Sequence, residues 1–316
     1  MRVLVAGATG VIGNRLVPML DAAGHDVIGL ARSAGSARPL RDAGAEVALA
    51  DALDRDGLIR AVRDARPDAV VNMLTAIPAE LNPRRLAADF ALTNRLRTEG
   101  ARNLADAARA AGADRLVAQG LAYAYQPGEG AADEDAPLWE DHTPRQFAPV
   151  LGALRELERT TLDAGGLVLR LGHLYGPGSA FAPDGSLVRQ VRAGKLPVVG
   201  GGTAVFSFTH ADDVAAAVAA SLDRDVSGVL NIVDDDPAPV REWLPEVARI
   251  LGAPEPKRAP AALARLAVGG WGVAYMTRLR GADNARARLR LNWRPRHPSW
   301  RDGLAAELAG PASPAA

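Results

Sequence analysis

The sequence predicts an α/β fold built on a doubly wound parallel sheet, with a smaller carboxyl-terminal lobe. Over roughly the first 170 residues, short β-branched and aliphatic runs alternate with helical patterns. These runs are apolar throughout, as in strands that are buried on both faces of a sheet. Glycine follows several of the helical patterns, as is typical of helix carboxyl termini.

The elements follow one another in a regular order. Six runs are predicted as strands: 2–7, 26–31, 45–50, 68–74, 114–119 and 166–172. The helical patterns between them include 11–23, 55–65, 84–111 and 148–163. Farther on, 210–222 is predicted as a capped helix and 229–234 as a strand, and two or three helices are expected beyond residue 237. Repeated strand–helix units of this spacing indicate a doubly wound sheet.

The regular alternation ends after Gly172, where the chain becomes rich in glycine and proline. We therefore predict that residues 1–172 form the sheet domain and that 205–232 return to it. Residues 173–204 and 233–316 are predicted to form the smaller lobe, which covers the carboxyl edge of the sheet and binds substrate.

Composition narrows the possible functions. The net charge is zero, which argues against nucleic acid or an anionic membrane surface as a partner. The chain has no cysteine, so disulfides, thiol catalysis and cysteine-ligated metals are excluded, and its scattered histidines suggest no metal site. No apolar run is long enough to span a bilayer. We expect a cytoplasmic protein, either a monomer or a homodimer.

The chain opens with "VLVAGATGVIG", which places Gly7, Gly10 and Gly13 after a strand and at the start of a helix. The first glycine allows a tight turn, the second lets the backbone approach a pyrophosphate, and the third permits close helix–strand packing. This context predicts a Rossmann-like dinucleotide site. The same cofactor-binding turn includes Thr9, Val11 and Ile12.

The end of the second strand indicates which dinucleotide is bound. Arg32, Ser33 and Arg38 stand where an NAD-specific site would carry a carboxylate, and a guanidinium suits a 2′-phosphate. NADPH or NADP is therefore the expected cofactor, although both arginines could instead be solvated loop charges.

The residues after the third strand are placed to contact the adenine. This segment consists of Asp51, Ala52 and Leu53. Asp51 has a second interpretation, because an aspartate at this point could equally cap the following helix.

Several segments together resemble the extended and atypical branch of the short-chain dehydrogenase/reductase superfamily, the epimerase/dehydratase-like proteins. The matching segments are "GATGVIG" (7–13), "NMLTAIP" (72–78), Asn94 in "LTNRLRTEGARNL", "RLGHLYGPGS" (170–179) and "VVGGGTAVFSFTHADDVAAAVAASL" (198–222). The resemblance covers most of residues 1–235.

The resemblance also implies cofactor contacts. Leu74, Thr75 and Ala76 would run under the nicotinamide ribose, and Asn94 would organise an active-site water. The segment beside the nicotinamide ring would comprise Leu171, Gly172, His173 and Leu174, and Gln119 ends the strand that borders the site.

The sequence departs from this family at the proton donor. The family uses a Ser/Thr, a Tyr and a Lys four residues after the Tyr, and the lysine lowers the pKa of the tyrosine. Gln119, Gly120 and Leu121 stand where the hydroxyl groups belong. Counting back from Glu158, which matches a family glutamate, puts Val150 at the tyrosine position and Leu154 at the lysine position. No Tyr or Lys occurs between residues 126 and 174.

Three interpretations of this departure are open. The protein could be an NADP(H)-sensing regulator without chemistry. Tyr123, Tyr125 or His173 could replace the missing acid, although such residues are more often packing or hydrogen-bonding groups. Alternatively, the substrate could supply its own proton, as a ketone next to a phenolic hydroxyl can, while positioning lowers the barrier.

The chain resembles the simocyclinone-type angucyclinone ketoreductases, which also lack the tyrosine and the lysine. This implies NADPH-dependent reduction of a carbonyl in a polycyclic aromatic polyketide, as in antibiotic biosynthesis. An NADP-using epimerase or lyase is the alternative enzyme. Six aromatic residues are candidates to line the substrate pocket: Trp139, Phe147, Phe181, Phe206, Trp271 and Tyr275.

Overall fold

The computed structural model describes residues 1–309. The strands are β1 Arg2–Ala6, β2 Asp26–Ala31, β3 Glu46–Leu49, β4 Ala69–Asn72, β5 Arg115–Leu121, β6 Leu167–Leu171, β7 His173–Tyr175, β8 Val198–Val199, β9 Val205–Phe206, β10 Phe208–His210, β11 Gly228–Ile232, β12 Ala238–Pro239 and β13 Arg258–Ala259. The helices are α1 Gly13–Ala22, α2 Ala34–Asp42, α3 Arg55–Ala65, α4 Leu86–Asp89, α5 Ala91–Arg95, α6 Ala101–Ala111, α7 Ala148–Asp163, α8 Ser186–Arg192, α9 Ala211–Leu222, α10 Val240–Ile250, α11 Ala261–Thr277, α12 Ala285–Leu291 and α13 Trp300–Leu308, and a π-helical turn, Leu96–Gly100, joins α5 to α6.

Seven strands form one parallel sheet in the order β11-β6-β5-β4-β1-β2-β3. This confirms the predicted Rossmann-like, doubly wound fold. The strand order reverses between β1 and β4, and ligands of open α/β sheets bind at the carboxyl ends of the strands beside such a reversal. The predicted cofactor residues of β1, β2 and β4 therefore lie at one edge of the sheet.

Both faces of the sheet are covered, which explains why its strands are apolar throughout. On one face, α1 and α9 contribute a core that includes Leu16, Leu20 and Val218. On the other face, α3 and α6 contribute a core that includes Leu58 and Leu104. Burial on both sides excludes water from the sheet and orients the strand ends rigidly.

A buried polar network fixes α7 to the sheet. Arg170 of β6 donates two hydrogen bonds to the carboxylate of Glu158 on α7, at 2.8 and 2.7 Å. Arg170 Nη1 also donates to the hydroxyl of Tyr125 at 2.8 Å, and that hydroxyl donates to Asn231 Oδ1 of β11 at 2.7 Å. The backbone N–H of Asn231 donates to Glu134 Oε1 at 2.7 Å. These bonds connect α7, two strands and the loop after β5.

The lobe over the sheet edge has an aromatic core. Its largest buried side chains include Trp139, Phe147, Phe206, Phe208, Trp243 and Trp300. The predicted division into domains stays a prediction, and the packing at α12 differs from it. Residues Ala287 and Leu291 of α12 pack with the sheet domain, in the same core as α1 and α9.

Three predicted elements differ from the structure. The pattern at 84–111 was predicted as one helix, but the chain forms α4, α5, the π-helical turn and α6. The segment 34–42 was not predicted as a helix, yet it forms α2, where Ser33 and Ser36 make a capping box. The chain beyond residue 237 contains four helices within the described residues rather than two or three, and 310–316 lie outside that range.

Helix α11 is interrupted at Gly269, whose φ of 74° is in the left-handed region. This glycine packs against Gln146, where an added Cβ would lie 3.0 Å from Nε2. Among residues 1–309, no helix is both long and apolar enough to cross a bilayer.

The buried ion pair leads to a stability prediction. Replacing Arg170 by Met leaves the Glu158 carboxylate buried without its partner, which should lower the free energy of unfolding by about 3–5 kcal/mol. Urea denaturation followed by circular dichroism measures this change. The matched control is Arg159→Met, since Arg159 pairs with Glu156 at 2.8 Å on the exposed face of the same helix. That variant should lose less than about 1 kcal/mol. Equal losses in the two variants would contradict the prediction.

Candidate active site

The turn after β1 is shaped to receive a dinucleotide. Gly7 has a φ of 91°, and a Cβ on it would lie 2.6 Å from the carbonyl oxygen of Met73. A Cβ on Gly13 would lie 2.3 Å from the carbonyl oxygen of Gly7. Larger residues are therefore excluded at both positions, and the backbone itself forms the surface of the turn.

The same turn offers donors for phosphate oxygens. Two amides of the turn are not available for this, because the Gly10 amide donates to the Gly7 carbonyl at 3.0 Å and the Asn14 amide donates to the Gly10 carbonyl at 2.9 Å. Helix α1 begins at Gly13 without a side-chain cap, so its first amides have no side-chain acceptor. A helix amino terminus of this kind binds phosphate through its free amides and its dipole. The residues present fit a pyrophosphate.

The three residues that the sequence analysis predicts to bind the 2′-phosphate lie at the end of β2 and in the first half of α2. Arg32 is exposed directly after β2, and Ser33 caps α2 by accepting from the Ser36 amide at 3.3 Å. Arg38 is exposed one turn into the helix, 3.8 Å from Asp42. Two guanidinium groups thus flank a helix amino terminus, an arrangement with affinity for an anion.

The residues predicted to contact adenine form a tight turn after β3. Asp51 Oδ1 accepts from the Leu53 amide at 2.9 Å, so Asp51 closes this turn rather than capping α3. The α3 cap is Asp54, which accepts from the Gly57 amide at 3.1 Å. Ala52 is buried, and its backbone carbonyl oxygen accepts a hydrogen bond from Asn103 Nδ2 at 2.8 Å.

The segment after β4 is held in an extended form by side chains. Asn72 Oδ1 accepts from the Leu74 amide at 3.2 Å, and Thr93 Oγ1 accepts from the Ala76 amide at 3.0 Å. Thr93 precedes Asn94 on α5, so this bond places Thr75 and its neighbours against the helix that carries Asn94.

The segment from Leu171 to Leu174 links the sheet to the lobe. Its backbone approaches β10 so closely that a Cβ on Gly172 would lie 2.5 Å from the Ser207 carbonyl oxygen. The amide of Gly172 donates to Thr209 Oγ1 at 3.1 Å. His173 is buried, and the lobe encloses its ring.

Aromatic rings stack around His173. Its ring is parallel to that of Phe206, with centroids 3.7 Å apart, and Tyr123 stacks near it with centroids 4.4 Å apart. Tyr275 meets the His173 ring edge-on at 5.6 Å. We call these four side chains the aromatic wall. A wall of this kind suits a flat, apolar ligand.

His173 is a neutral residue in this setting. Burial lowers the pKa of its imidazole to about 3, although the nearby Ser207 carbonyl, 3.3 Å from Nδ1, opposes that effect. The Nδ1 proton therefore points to Ser207, and Nε2 is left as an acceptor with no hydrogen-bond partner among residues 1–309. A neutral imidazole in this tautomer accepts a proton or hydrogen bond at Nε2 and has none to donate there.

The other two candidates for a replacement acid differ in their surroundings. Tyr125 is fully buried, and its hydroxyl is engaged by Arg170 and Asn231, which identifies Tyr125 as a structural residue. Tyr123 stands in the aromatic wall beside His173. Burial raises the pKa of its phenol, although the Arg97 charge opposes this, so the phenol stays protonated near neutral pH.

Helix α7 carries apolar side chains at the two positions that the sequence analysis matched to the family's tyrosine and lysine. Val150 and Leu154 are each 1% exposed and pack in the lobe core with Phe147 and Trp139. Leu121, at the end of β5, packs against the same core. The match of Val150 and Leu154 to the family's tyrosine and lysine stays a prediction, as do the roles of Gln119 and the other cofactor-binding residues.

The buried polar atoms that have no partner within residues 1–309 include Asn94 Oδ1, Arg97 Nη1, His173 Nε2 and Trp243 Nε1. Native structures satisfy nearly all such atoms, and unsatisfied ones indicate a ligand or water. The sequence analysis did not identify Arg97 as a candidate site residue, because an arginine in an amphipathic helical pattern is expected on the solvent-exposed face.

Comparisons with known proteins bear on the whole chain. The model of the NAD dependent epimerase/dehydratase family matches residues 3–233. A Streptomyces protein named 3-diazoavenalumate denitrifying reductase is 50% identical over 315 residues, which cover 97% of this chain and 100% of the relative. The 2'-dehydrokanamycin reductase of Streptomyces kanamyceticus is 30% identical over 276 residues, covering 83% and 70%. The UDP-glucose 4-epimerase structure from Thermotoga maritima has a TM-score of 0.77 at 19% identity, covering 98% and 97%, and shows the fold alone.

The buried state of His173 leads to a prediction about pH. Between about pH 3 and 6.5 the unfolded chain binds a proton at His173 that the folded chain does not bind. The free energy of unfolding should therefore fall as the pH drops through this range, by up to about 1.4 kcal/mol per pH unit from this residue. Urea denaturation at several pH values measures the slope. In His173→Gln the slope should be smaller by that amount, and parallel slopes in both proteins would refute the assignment.

Proposed function

Since the chain belongs to the NAD dependent epimerase/dehydratase family, we propose that it is a reductase that replaces the diazo group of an aromatic carboxylate by hydrogen, with NADPH as the reductant. The chain is an oxidoreductase of this family, as its reductase relatives indicate. The name of the 50% identical relative supports the diazo substrate, because it specifies loss of nitrogen from a diazo compound.

One observation carries the proposal: the residues expected beside the nicotinamide do not supply a positioned acid and base. Val150 and Leu154 are apolar and buried, and burial keeps His173 neutral with its Nδ1 directed to Ser207. Carbonyl reduction places negative charge on oxygen, which must receive a proton. A site whose expected acid and lysine positions are occupied by Val150 and Leu154 therefore favours an acceptor that needs no proton.

Reduction of the diazo group in its cationic form, an aromatic diazonium, meets this requirement, and it is this form that we propose the protein reduces. When bound, the reduced nicotinamide supplies a hydride. The ring carbon bearing the diazonium group gains the hydride with its electron pair, the carbon–nitrogen bond breaks, and the bonding pair leaves with dinitrogen. The positive charge of the diazonium and the negative charge of the hydride cancel, so no proton is taken from the protein.

The aromatic wall has two roles in this proposal. Tyr123 and Tyr275 are the partly exposed members, on whose rings an aromatic ligand can be oriented, and the buried His173 and Phe206 stack in support of them. They also exclude water from the reacting carbon, and water is the nucleophile that would compete with hydride. Orientation and exclusion of water are the main contributions left to a protein whose reaction needs no acid.

The choice of NADPH is supported by the exposed charges after β2. Arg32 and Arg38 flank the amino terminus of α2, where Ser33 is the cap. A phosphate placed there would meet two guanidinium groups and the helix dipole.

Reduction of a carbonyl in an angucyclinone-like polyketide is the second candidate. The same aromatic wall would accept a polycyclic ring system, and a neighbouring phenol in the substrate would supply the proton that the protein does not. The two candidates differ in their products, since only the first releases dinitrogen.

The purified protein, given NADPH and 3-diazoavenalumate, should release dinitrogen and oxidise one NADPH per product molecule. With NADPH deuterated at the transferred position, mass spectrometry should find one deuterium at the carbon that carried nitrogen. Unlabelled NADPH in heavy water should leave that carbon without deuterium. Turnover of a phenolic aromatic ketone, with none of the diazo compound, would establish the second candidate instead.

The variant Tyr123→Phe is the control for this reaction. It keeps the ring of the aromatic wall and removes the hydroxyl of the tyrosine that stacks on His173; Tyr275→Phe does the same for the second hydroxyl of the wall, and each variant is measured alone and combined. In each case kcat should stay within about threefold of the unmodified protein, whereas a lost general acid costs about 100-fold or more. A loss of that size in any of these folded variants would overturn the proposal.

The charge at Arg32 allows a separate test of the cofactor. In Arg32→Glu the affinity for NADPH should fall about 10- to 100-fold, as expected when a charge-assisted contact is lost, while NADH binding changes little. Arg41→Glu is the matched control, because Arg41 is exposed in the last turn of the same helix. Isothermal titration calorimetry measures both nucleotides. Equal losses for NADPH and NADH in Arg32→Glu would refute the assignment of the 2′-phosphate site.

A further inference from the structure

Arg97 is a buried charge without an acidic partner. It lies in the π-helical turn Leu96–Gly100 and is 2% exposed. Its Nη1 has no hydrogen-bond partner among residues 1–309. The centroid of the Phe90 ring is 5.8 Å from its guanidinium carbon, and the phenol of Tyr123 is close enough to be influenced by its charge.

The neighbouring carboxylate is committed elsewhere. Glu99, two residues along the chain, accepts two hydrogen bonds from the exposed Arg95, at 3.2 and 2.9 Å. Burial lowers the pKa of Arg97 to about 10, so the side chain is still charged at neutral pH. Burying such a charge without a counter-ion is costly, and buried charges in proteins are normally paired.

The position of Arg97 connects it to the candidate active site. Asn94 lies three residues before it on the same helical segment, and its Oδ1 is also buried without a partner. The Arg97 charge acts on the phenol of Tyr123, which stacks on His173. Arg97 thus lies on the same helical segment as Asn94, three residues apart and therefore on one side of it, with the Phe90 ring 5.8 Å from its guanidinium carbon. π-helical turns occur frequently at functional sites.

We propose that Arg97 binds the carboxylate of the substrate and thereby sets the orientation of the aromatic ring on the aromatic wall. A guanidinium presents a planar pair of N–H donors that matches a carboxylate, and the pairing is strongest where water is excluded. The inference rests on the proposed function for the identity of the substrate, but carboxylate binding can be measured without turnover.

The test uses two probes of the same shape, cinnamate and cinnamamide, which differ in charge. Their affinities for the full chain are measured by isothermal titration calorimetry in the presence of saturating NADP⁺. The unmodified protein should bind cinnamate about tenfold or more tightly than cinnamamide, as expected for a buried charge-assisted contact. In Arg97→Met the two affinities should become equal, and Arg97→Lys should keep part of the preference.

Arg95→Met is the matched control, because Arg95 is on the same segment but is exposed and paired with Glu99. This variant should keep the full preference for cinnamate. Without ligand, Arg97→Met should melt at a higher temperature than the unmodified protein, since it removes an unpaired buried charge. A well-defined melting transition also shows that the variant is folded.

Two results would overturn the inference. One is equal affinity of the unmodified protein for the two probes, including no measurable binding of either. The other is an Arg97→Met protein that keeps its preference for cinnamate and loses affinity for NADP⁺, which would assign the guanidinium to a cofactor phosphate. If the preference depends on Arg97 but the diazo compound is not reduced, the carboxylate site stands and the proposed reaction fails.

Discussion

The bidentate ion pair between Arg170 and Glu158 is the interaction on which the rest of the site depends. It joins α7 to the sheet at a point where neither side chain reaches water. Because the same guanidinium also engages the hydroxyl of Tyr125, the loop after β5 is held against the sheet by that network. Tyr123 lies in this loop, so the network that occupies one tyrosine also positions the other. The helix brings Val150 and Leu154 to the lobe core with the same rigidity.

The candidate site combines polar ligand-binding segments with an apolar helix face, which differs from a site built for acid–base catalysis. In the proposed function, the turn after β1, the charges after β2 and the segment around His173 would contact the cofactor and the substrate. The contribution of α7 to the same region is apolar surface. A reaction whose leaving group departs as a neutral gas gains from such a surface, because water is kept away and no new charge develops on the aromatic ring.

Much of the fold could be predicted from the sequence, and each helix that was predicted wrongly has a physical reason. The helices 55–65 and 148–163 have the predicted ends, since an aspartate cap begins one and a proline near the start marks the other. Helix α2 was missed because Gly35 and Pro39 suggest a loop, whereas a serine capping box stabilises it. The helix at 84–111 is broken by changes in hydrogen-bond pattern that side-chain periodicity does not report. In the candidate site, the glycine spacing predicted the tight turn after β1, and the assignment of this turn to the cofactor stays a prediction. The neutrality of His173 and the burial of Arg97 depend on tertiary packing, which no local sequence pattern contains.

The π-helical turn at Leu96–Gly100 has a consequence for how such a site changes over generations. A turn of this kind holds one residue more than an α-helical turn, and each residue of an α-helix rotates the chain by about 100°. Gain or loss of a single codon within this turn would rotate α5, which carries Asn94, by about 100° relative to α6, while α6 and the sheet beyond it kept their places. Descendants of one ancestor could thus acquire a new ligand preference through an insertion of three nucleotides, with no exchange of the residues that line the remainder of the cleft.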